Sequence, residues 1–251
     1  MARSHAFPAA WAAGAYRGLR RVVGPARDDT EEDVHARAVA SLGPDTFPEG
    51  RTPFDIFIEL SRVMDRPSVL ELGTRRSVPD RSTRHDAWIP GAGEYLGTDI
   101  AAGADVDLVA DVHRLTEVTG GERFDIILSE AGFEHFKYPH LAAHEIMRAL
   151  RPGGLVFVQT HQSFPIHAVP FDYFRFSREA LAGLFGTRMG FEVIATGYAS
   201  PAAIHSRVDR NGHRAPAFLH VSLVGRKTGP TPDRYIYEYD GLLAESAGTN
   251  R

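Results

Sequence analysis

Three histidines stand where a side chain could take a proton from an attacking atom: His135 in "FEHF", His161 directly after "GLVFVQT", and His167 in the Pro-rich stretch beyond. An imidazole with an ordinary pKa of about 6.5 is mostly neutral yet basic at pH 7, so it suits the role of acceptor for a hydroxyl or amine proton. Asp172 is close enough in sequence to orient a ring, and Tyr173 to bind or shield a substrate. The plainer alternative is that Asp172 and Arg175 form a local ion pair and Ser177 caps the helix "REALAGLF". His161, His167 and Asp172 would also supply two imidazoles and a carboxylate to a metal. Their spacing matches no rigid ligand motif, however, and twelve histidines make chance clusters common, so no metal is predicted.

A second set of residues is set up to bind rather than react. Glu71 and Gly73 close one apolar run, Asp99 and Ile100 the next, Asp111 and Val112 a third, and Ser129 a fourth. An acid at the tip of a second strand can accept hydrogen bonds from both hydroxyls of a ribose. An acid after the third can accept from an adenine amino group while the following amide donates to a ring nitrogen. After Gly73 the chain reads "TRRSVPDRSTRH", with Thr74, Arg75, Arg76, Arg81 and Arg84 where a phosphate-binding turn carries further glycines. Such a loop obstructs pyrophosphate, which needs close backbone approach. It suits a nucleoside without phosphate whose tail ends in a carboxylate, because an arginine can pair with that group. S-adenosylmethionine has that composition.

These residues need a scaffold that delivers strand ends to one edge. From Val69 onward, short apolar runs alternate with helical stretches, the pattern of a parallel sheet covered on both faces. The predicted strands are "SVLELG", "EYLGTDI", "VDLVAD", "FDIILSE", "GLVFVQT", "FEVIATGY" and "FLHVSLVGRK". The last two are joined by a stretch without a helical pattern and with a turn at Asn211-Gly212, which predicts antiparallel pairing. Ahead of the sheet, residues 8–24, a segment after Asp29 or Thr30 ending at Gly43, and "TPFDIFIELSRVM" are predicted helices. The expected organisation is an N-terminal helical cap over 1–68, a binding domain over 69–228 and a polar tail over 229–251.

At 251 residues and 43% hydrophobic content the chain can bury a full core, and its formal charge of -4 offers no global basic field for nucleic acid. It has no cysteine, which removes thiolate chemistry and fits a reducing, cytoplasmic setting. Arginines interrupt the Ala-rich start before any run long enough to span a membrane, so no membrane partner is expected.

With "VLELG", "YLGTDI", "DLVADVHRL", "FDIILSEAGFEHF" and "EIMRALRPGGLVFVQT" in this order, the chain resembles the class I S-adenosylmethionine-dependent methyltransferases over about Val69 to Lys227. Within them, "HAVPFDYFRFSREAL" resembles a subgroup with P-x-H-x-x-P-x-D-Y-x-R-F-S/T after strand five. The resemblance implies a Rossmann-like, seven-stranded, mostly parallel sheet with an antiparallel last strand and helices on both faces. It implies that Glu71 and Gly73 line the methionine end of the cofactor, that Asp99 binds the ribose, and that Asp111 with Val112 recognises adenine, with Thr74, Arg75 and Ile100 counted among the cofactor-binding residues. Ser129 would approach the sulfonium. The usual G-x-G-x-G is reduced here to Gly73. His161 and His167 rank above His135 as the base, since the Glu-His pair accompanies many chemistries in this superfamily. The expected activity is methylation of a small molecule, a hydroxyl of a secondary metabolite or sugar first and an amine nitrogen next, with a homodimer allowed for. The competing readings are a methyltransferase-like protein that transfers no methyl group and a nucleic-acid methyltransferase.

Overall fold

The computed structural model describes residues 51–205 and 214–236, together with Asp33 and Ala36. The first predicted helix lies outside these residues, as does the Asn211-Gly212 turn. Of the second, only Asp33 and Ala36 are described, both helical.

Seven strands form one sheet: β1 (Ser68–Leu72), β2 (Glu94–Asp99), β3 (Leu108–Val109), β4 (Phe124–Glu130), β5 (Leu150–His161), β6 (Phe191–His205) and β7 (Arg214–Lys227). Their order is β3-β2-β1-β4-β5-β7-β6, with β1 to β5 paired parallel and β7 antiparallel to both its neighbours. Order reverses between β1 and β4, the switch point where open α/β sheets bind ligands beyond their carboxyl ends. The predicted antiparallel last strand is therefore present. The β6–β7 hairpin runs further than the sequence suggested, taking in "ASPAAIH" and "RAPA", because Pro201 and Pro216 sit on paired edge segments rather than ending them.

Both faces of the sheet are covered. On one lies α1 (Pro53–Arg62), opened by a capping box in which the Asp55 amide donates to Thr52 Oγ1 at 3.1 Å and the Thr52 amide donates to Asp55 Oδ2 at 2.9 Å. It buries Phe57 on Phe157, rings stacked at 4.9 Å, beside Val69, Ile126 and Leu128. Trp88 packs edge-on to Phe54 and Phe157 in this layer. On the other face α2 (Leu115–Thr119), α3 (Pro139–Ala149) and α4 (Arg178–Ala182) cover Leu70, Ile127, Val156 and Leu223. Each large apolar side chain so buried contributes about 1.5–3 kcal/mol. Between β1 and β2 the chain makes no α-helix, only a 3-10 turn at Asp86–Trp88.

The predicted polar tail is anchored over its first residues. Thr231 Oγ1 donates to the Met147 carbonyl, the Pro232 carbonyl lies 2.8 Å from Nε2 of His144, and Tyr235 and Ile236 pack against the core. Tyr235 is half-buried, and its hydroxyl donates to the Gly183 carbonyl just past α4.

Gly97 in β2 sits at a close approach, since a Cβ there would fall 2.4 Å from the Asp105 carbonyl oxygen and 2.6 Å from Thr74 Oγ1. Both obstacles belong to the connections that carry the ligand edge. Replacing Gly97 with Ala should cost about 1–3 kcal/mol by overpacking, read as a Tm lowered by several degrees in thermal denaturation.

Candidate functional site

A cavity of about 1010 Å³ opens beyond the ends of β1, β2, β4 and β5. Its wall on the β1–β2 side includes Gly73, Arg75, Asp99, Ile100, Asp111 and Val112. The glycine has a structural reason: Gly73 adopts φ of 80°, the left-handed region, and its amide and that of Thr74 both donate to the Thr98 carbonyl, at 2.8 and 3.1 Å. Across from it, Gly132 leaves no room for a side chain, as a Cβ would stand 2.6 Å from Ser129 Oγ. Two backbones without side chains thus give the cavity a bare floor, which the single glycine in the sequence did not reveal.

The four arginines of the loop divide. Arg76 forms a two-pronged pair with Asp105, Nε to Oδ2 at 2.9 Å and Nη2 to Oδ1 at 2.8 Å, and Arg84 donates to Asp107 and to the Tyr95 carbonyl. These two pin the loop to the β2–β3 connection and are structural. The Asp105 carboxyl is held well below the usual carboxylate range by Arg76, against burial, with Thr83 and Ser82 assisting. Arg75 and Arg81 line the cavity.

Asp99 accepts from the Ala101 amide through Oδ1 at 3.0 Å, while Oδ2 has only a long contact of 3.4 Å to the Arg75 amide. That second oxygen is available to a ligand. Asp111 caps the turn Val112–Arg114, its Oδ1 taking both the amide and Nδ1 of His113 at 2.9 and 2.7 Å. Burial raises the Asp111 carboxyl, but the hydrogen bonds from His113 outweigh it and the pKa is lowered. Its Oδ2 has no partner among the described residues. Both acids therefore keep one oxygen for an incoming donor, and their placement around a glycine floor fits an adenosine.

Glu71, Thr74 and Ser129 do not line the cavity. Glu71 is buried and fully engaged, receiving the His85 amide at 3.0 Å, the Tyr95 hydroxyl at 2.6 Å and His85 Nδ1 at 2.5 Å. It acts on the cavity through His85, which does line it. Thr74 Oγ1 donates to the Asp105 carbonyl at 2.8 Å. Ser129 is buried with its hydroxyl unpartnered, directed toward Gly132.

The opposite wall holds His135, His161, His167 and Tyr173, with Phe136, Phe164 and Phe171 as its apolar part. Phe133 is fully buried in the core and Phe174 packs against that core, so neither lines the cavity. His161 stacks on Phe164 with ring centres 4.0 Å apart and planes within 4°. Behind these rings lies Glu134, with no solvent exposure, whose Oε2 accepts from Thr160 Oγ1 at 2.7 Å. Its Oε1 stands 3.0 Å from His161 Nε2, 3.8 Å from His135 Nε2 and 3.9 Å from His167 Nε2. Burial alone would raise the Glu134 carboxyl; His161 and Thr160 more than offset it and hold it below the usual range. Asp172 takes two bonds from Arg175 at 2.6 and 2.9 Å and the His167 amide at 2.9 Å, with its Oδ2 also 3.5 Å from His167 Nδ1. It fixes the loop that carries His167. Glu134 and Thr160 were missed in sequence because a carboxyl inside "GFEHF" has no spacing signature of its own.

Residues 91–158 match the methyltransferase domain family. Among solved structures the chain is similar to YcgJ from Bacillus subtilis, with 15% identity over 70% of this chain and 98% of that one and a TM-score of 0.50. It is also similar to a putative methyltransferase from Bacillus halodurans, with 13% identity over 71% of this chain and 99% of the other and a TM-score of 0.52. No curated protein matches it in sequence. The matched domain, the sheet order and the ligand edge define a Rossmann-like methyltransferase fold. The match to the methyltransferase domain family is confined to residues 91–158, and the two solved structures share the fold.

The Glu71–His85 tie makes stability depend on pH. Burial disfavours the charged His85 ring, but the hydrogen bond and charge of Glu71 raise its pKa above the ordinary value. A raised histidine contributes its full stability below about pH 6.5, and that contribution fades as pH rises through the folded value. The Tm difference between the protein and a His85→Gln variant, followed by thermal denaturation, should accordingly be largest in acid and shrink toward alkaline pH.

Proposed function

We propose that the protein transfers a methyl group from S-adenosylmethionine to a hydroxyl of a small molecule, with an amine nitrogen as the next acceptor in preference. The observation that carries this reading is the division of one cavity into two unlike walls. One offers Asp99 and Asp111, each with an unused oxygen, around Gly73. The other offers imidazoles and aromatic faces.

In this reading Asp99 accepts from the ribose hydroxyls, Asp111 with the Val112 amide recognises adenine, and Arg75 or Arg81 pairs with the cofactor's carboxylate. Bound there, the cofactor supplies a methyl carbon activated by its sulfonium. The protein's remaining work is alignment of an in-line displacement and acceptance of a proton. The imidazoles of His135, His161 and His167 would take up the proton that the acceptor hydroxyl releases when it is methylated. Tyr173, Phe164 and Phe171 shield the reacting atoms and favour an apolar or ring-bearing substrate. The net charge of -4 weighs against a nucleic-acid substrate, and the absence of cysteine supports a cytoplasmic setting.

Calorimetry with S-adenosylhomocysteine tests the reading directly, and no measurable binding would defeat it. Asp99→Ala should weaken that binding roughly ten- to a hundredfold, the scale of a charge-assisted hydrogen bond. His161→Ala and His167→Ala should leave it within about twofold while lowering turnover by about 10²–10⁴.

A further inference from the structure

The imidazole wall has a feature that proton acceptance alone does not account for. His135 Nδ1 lies 2.8 Å from the Phe171 carbonyl oxygen and His167 Nδ1 lies 3.1 Å from that of Pro165. A carbonyl only accepts, so each ring carries its hydrogen on Nδ1 and, when neutral, presents a bare lone pair at Nε2. Both Nε2 atoms face the same oxygen, Glu134 Oε1, at 3.8 and 3.9 Å. These separations are too long for a hydrogen bond. That oxygen is completely buried, and among the described residues its nearest polar neighbour is His161 Nε2 at 3.0 Å, without a well-formed hydrogen bond. Lone pairs converging on a buried carboxylate oxygen repel one another unless a positive charge lies among them.

We infer that Glu134, His161 and His167 bind one divalent first-row transition-metal cation, of the kind that takes mixed imidazole and carboxylate ligands. Their ligand atoms all lie within 4.8 Å of one another. Ligands at about 2.0–2.2 Å from a common ion are themselves about 3–4 Å apart, so small side-chain adjustments close the set around a cation. Two imidazoles and one carboxylate leave coordination positions open. Those positions face the cavity, because His161 and His167 both line it. The surrounding bonds also suit a metal centre. His167 donates its other ring nitrogen to a backbone carbonyl and Glu134 is held from behind by Thr160. Asp172 is paired with Arg175 through both oxygens and is not a member of this set.

The role of the ion rests on the methyl-transfer reading, whereas the site itself rests on the geometry alone. A cation here would take the acceptor oxygen as a further ligand and lower that hydroxyl's pKa. His135, beside it but hydrogen-bonded away to Phe171, stays free at Nε2 to receive the proton. Acceptors with two neighbouring oxygens, able to chelate, are thereby favoured.

The test uses the untagged full chain, stripped with a chelator and titrated with Co²⁺ and Zn²⁺ by calorimetry, with the visible absorption of bound Co²⁺ reporting nitrogen ligation. About one equivalent should bind, and Glu134→Gln and His167→Ala should each weaken it at least tenfold. His167→Ala changes a half-exposed loop residue and keeps the test decisive if Glu134→Gln does not fold. Failure of the parent protein to bind, or unchanged affinity in His167→Ala, overturns the inference. Metal binding without any S-adenosylhomocysteine binding upholds the site and defeats the methyl-transfer reading, so the two fail separately.

Discussion

The ligand edge depends on one buried carboxylate. Glu134 sits without solvent exposure just past β4, receives Thr160 from the end of β5, and lies within 4 Å of three imidazoles. Its backbone carbonyl takes the amides of Tyr173 and Phe174 at 2.9 and 3.2 Å, while the His161 carbonyl takes that of Phe176. Side chain and main chain together therefore tie the β4 end, the β5 end and the 162–176 segment into one wall. A charge so enclosed is costly unless its surroundings compensate, and Thr160 and His161 supply part of that compensation.

The other wall is organised by the opposite device, cations fastened to acids outside the cavity. Arg76 and Arg84 are used up on Asp105, Asp107 and the Tyr95 carbonyl, so the loop holds its path without an α-helix between β1 and β2. His85 and Tyr95 close on Glu71 beneath it. With the loop braced by side chains, Gly73 meets the one backbone position needing φ of 80°. Glycines further along are dispensable for a ligand that brings no phosphate to be cradled. One wall of the cavity is thus braced by the loop's own charges, and the other by a carboxylate behind imidazoles.

Much of the architecture was legible from residue order. Apolar runs ending in Glu71, Asp99, Asp111, Glu130 and His161 mark the strands, and the helixless connection ahead of β7 marks the antiparallel pair, because strand period and crossover length are local properties. Asp99, Ile100, Asp111, Val112, Gly73 and Arg75 share one cavity, as strand-end register implies. The reach of the β6–β7 hairpin was not legible, since Pro201 and Pro216 read as breakers until both are placed on a paired ribbon. Nor was the anchoring of Tyr235, whose hydroxyl donates to the Gly183 carbonyl just past α4.

The sequence by itself determined the sheet, the edge where ligands gather and the residue types available there, because these follow from periodicity and from which residues end each strand. Only the tertiary structure decided which of several equivalent-looking groups face inward. It separated Arg75 and Arg81 from Arg76 and Arg84, turned Glu71 away, spent Asp172 on Arg175, and brought Glu134 behind residues 27 and 33 positions later in the chain. Competition among nearby donors for one carboxylate is settled by distances between elements remote in sequence, and no local pattern encodes those distances.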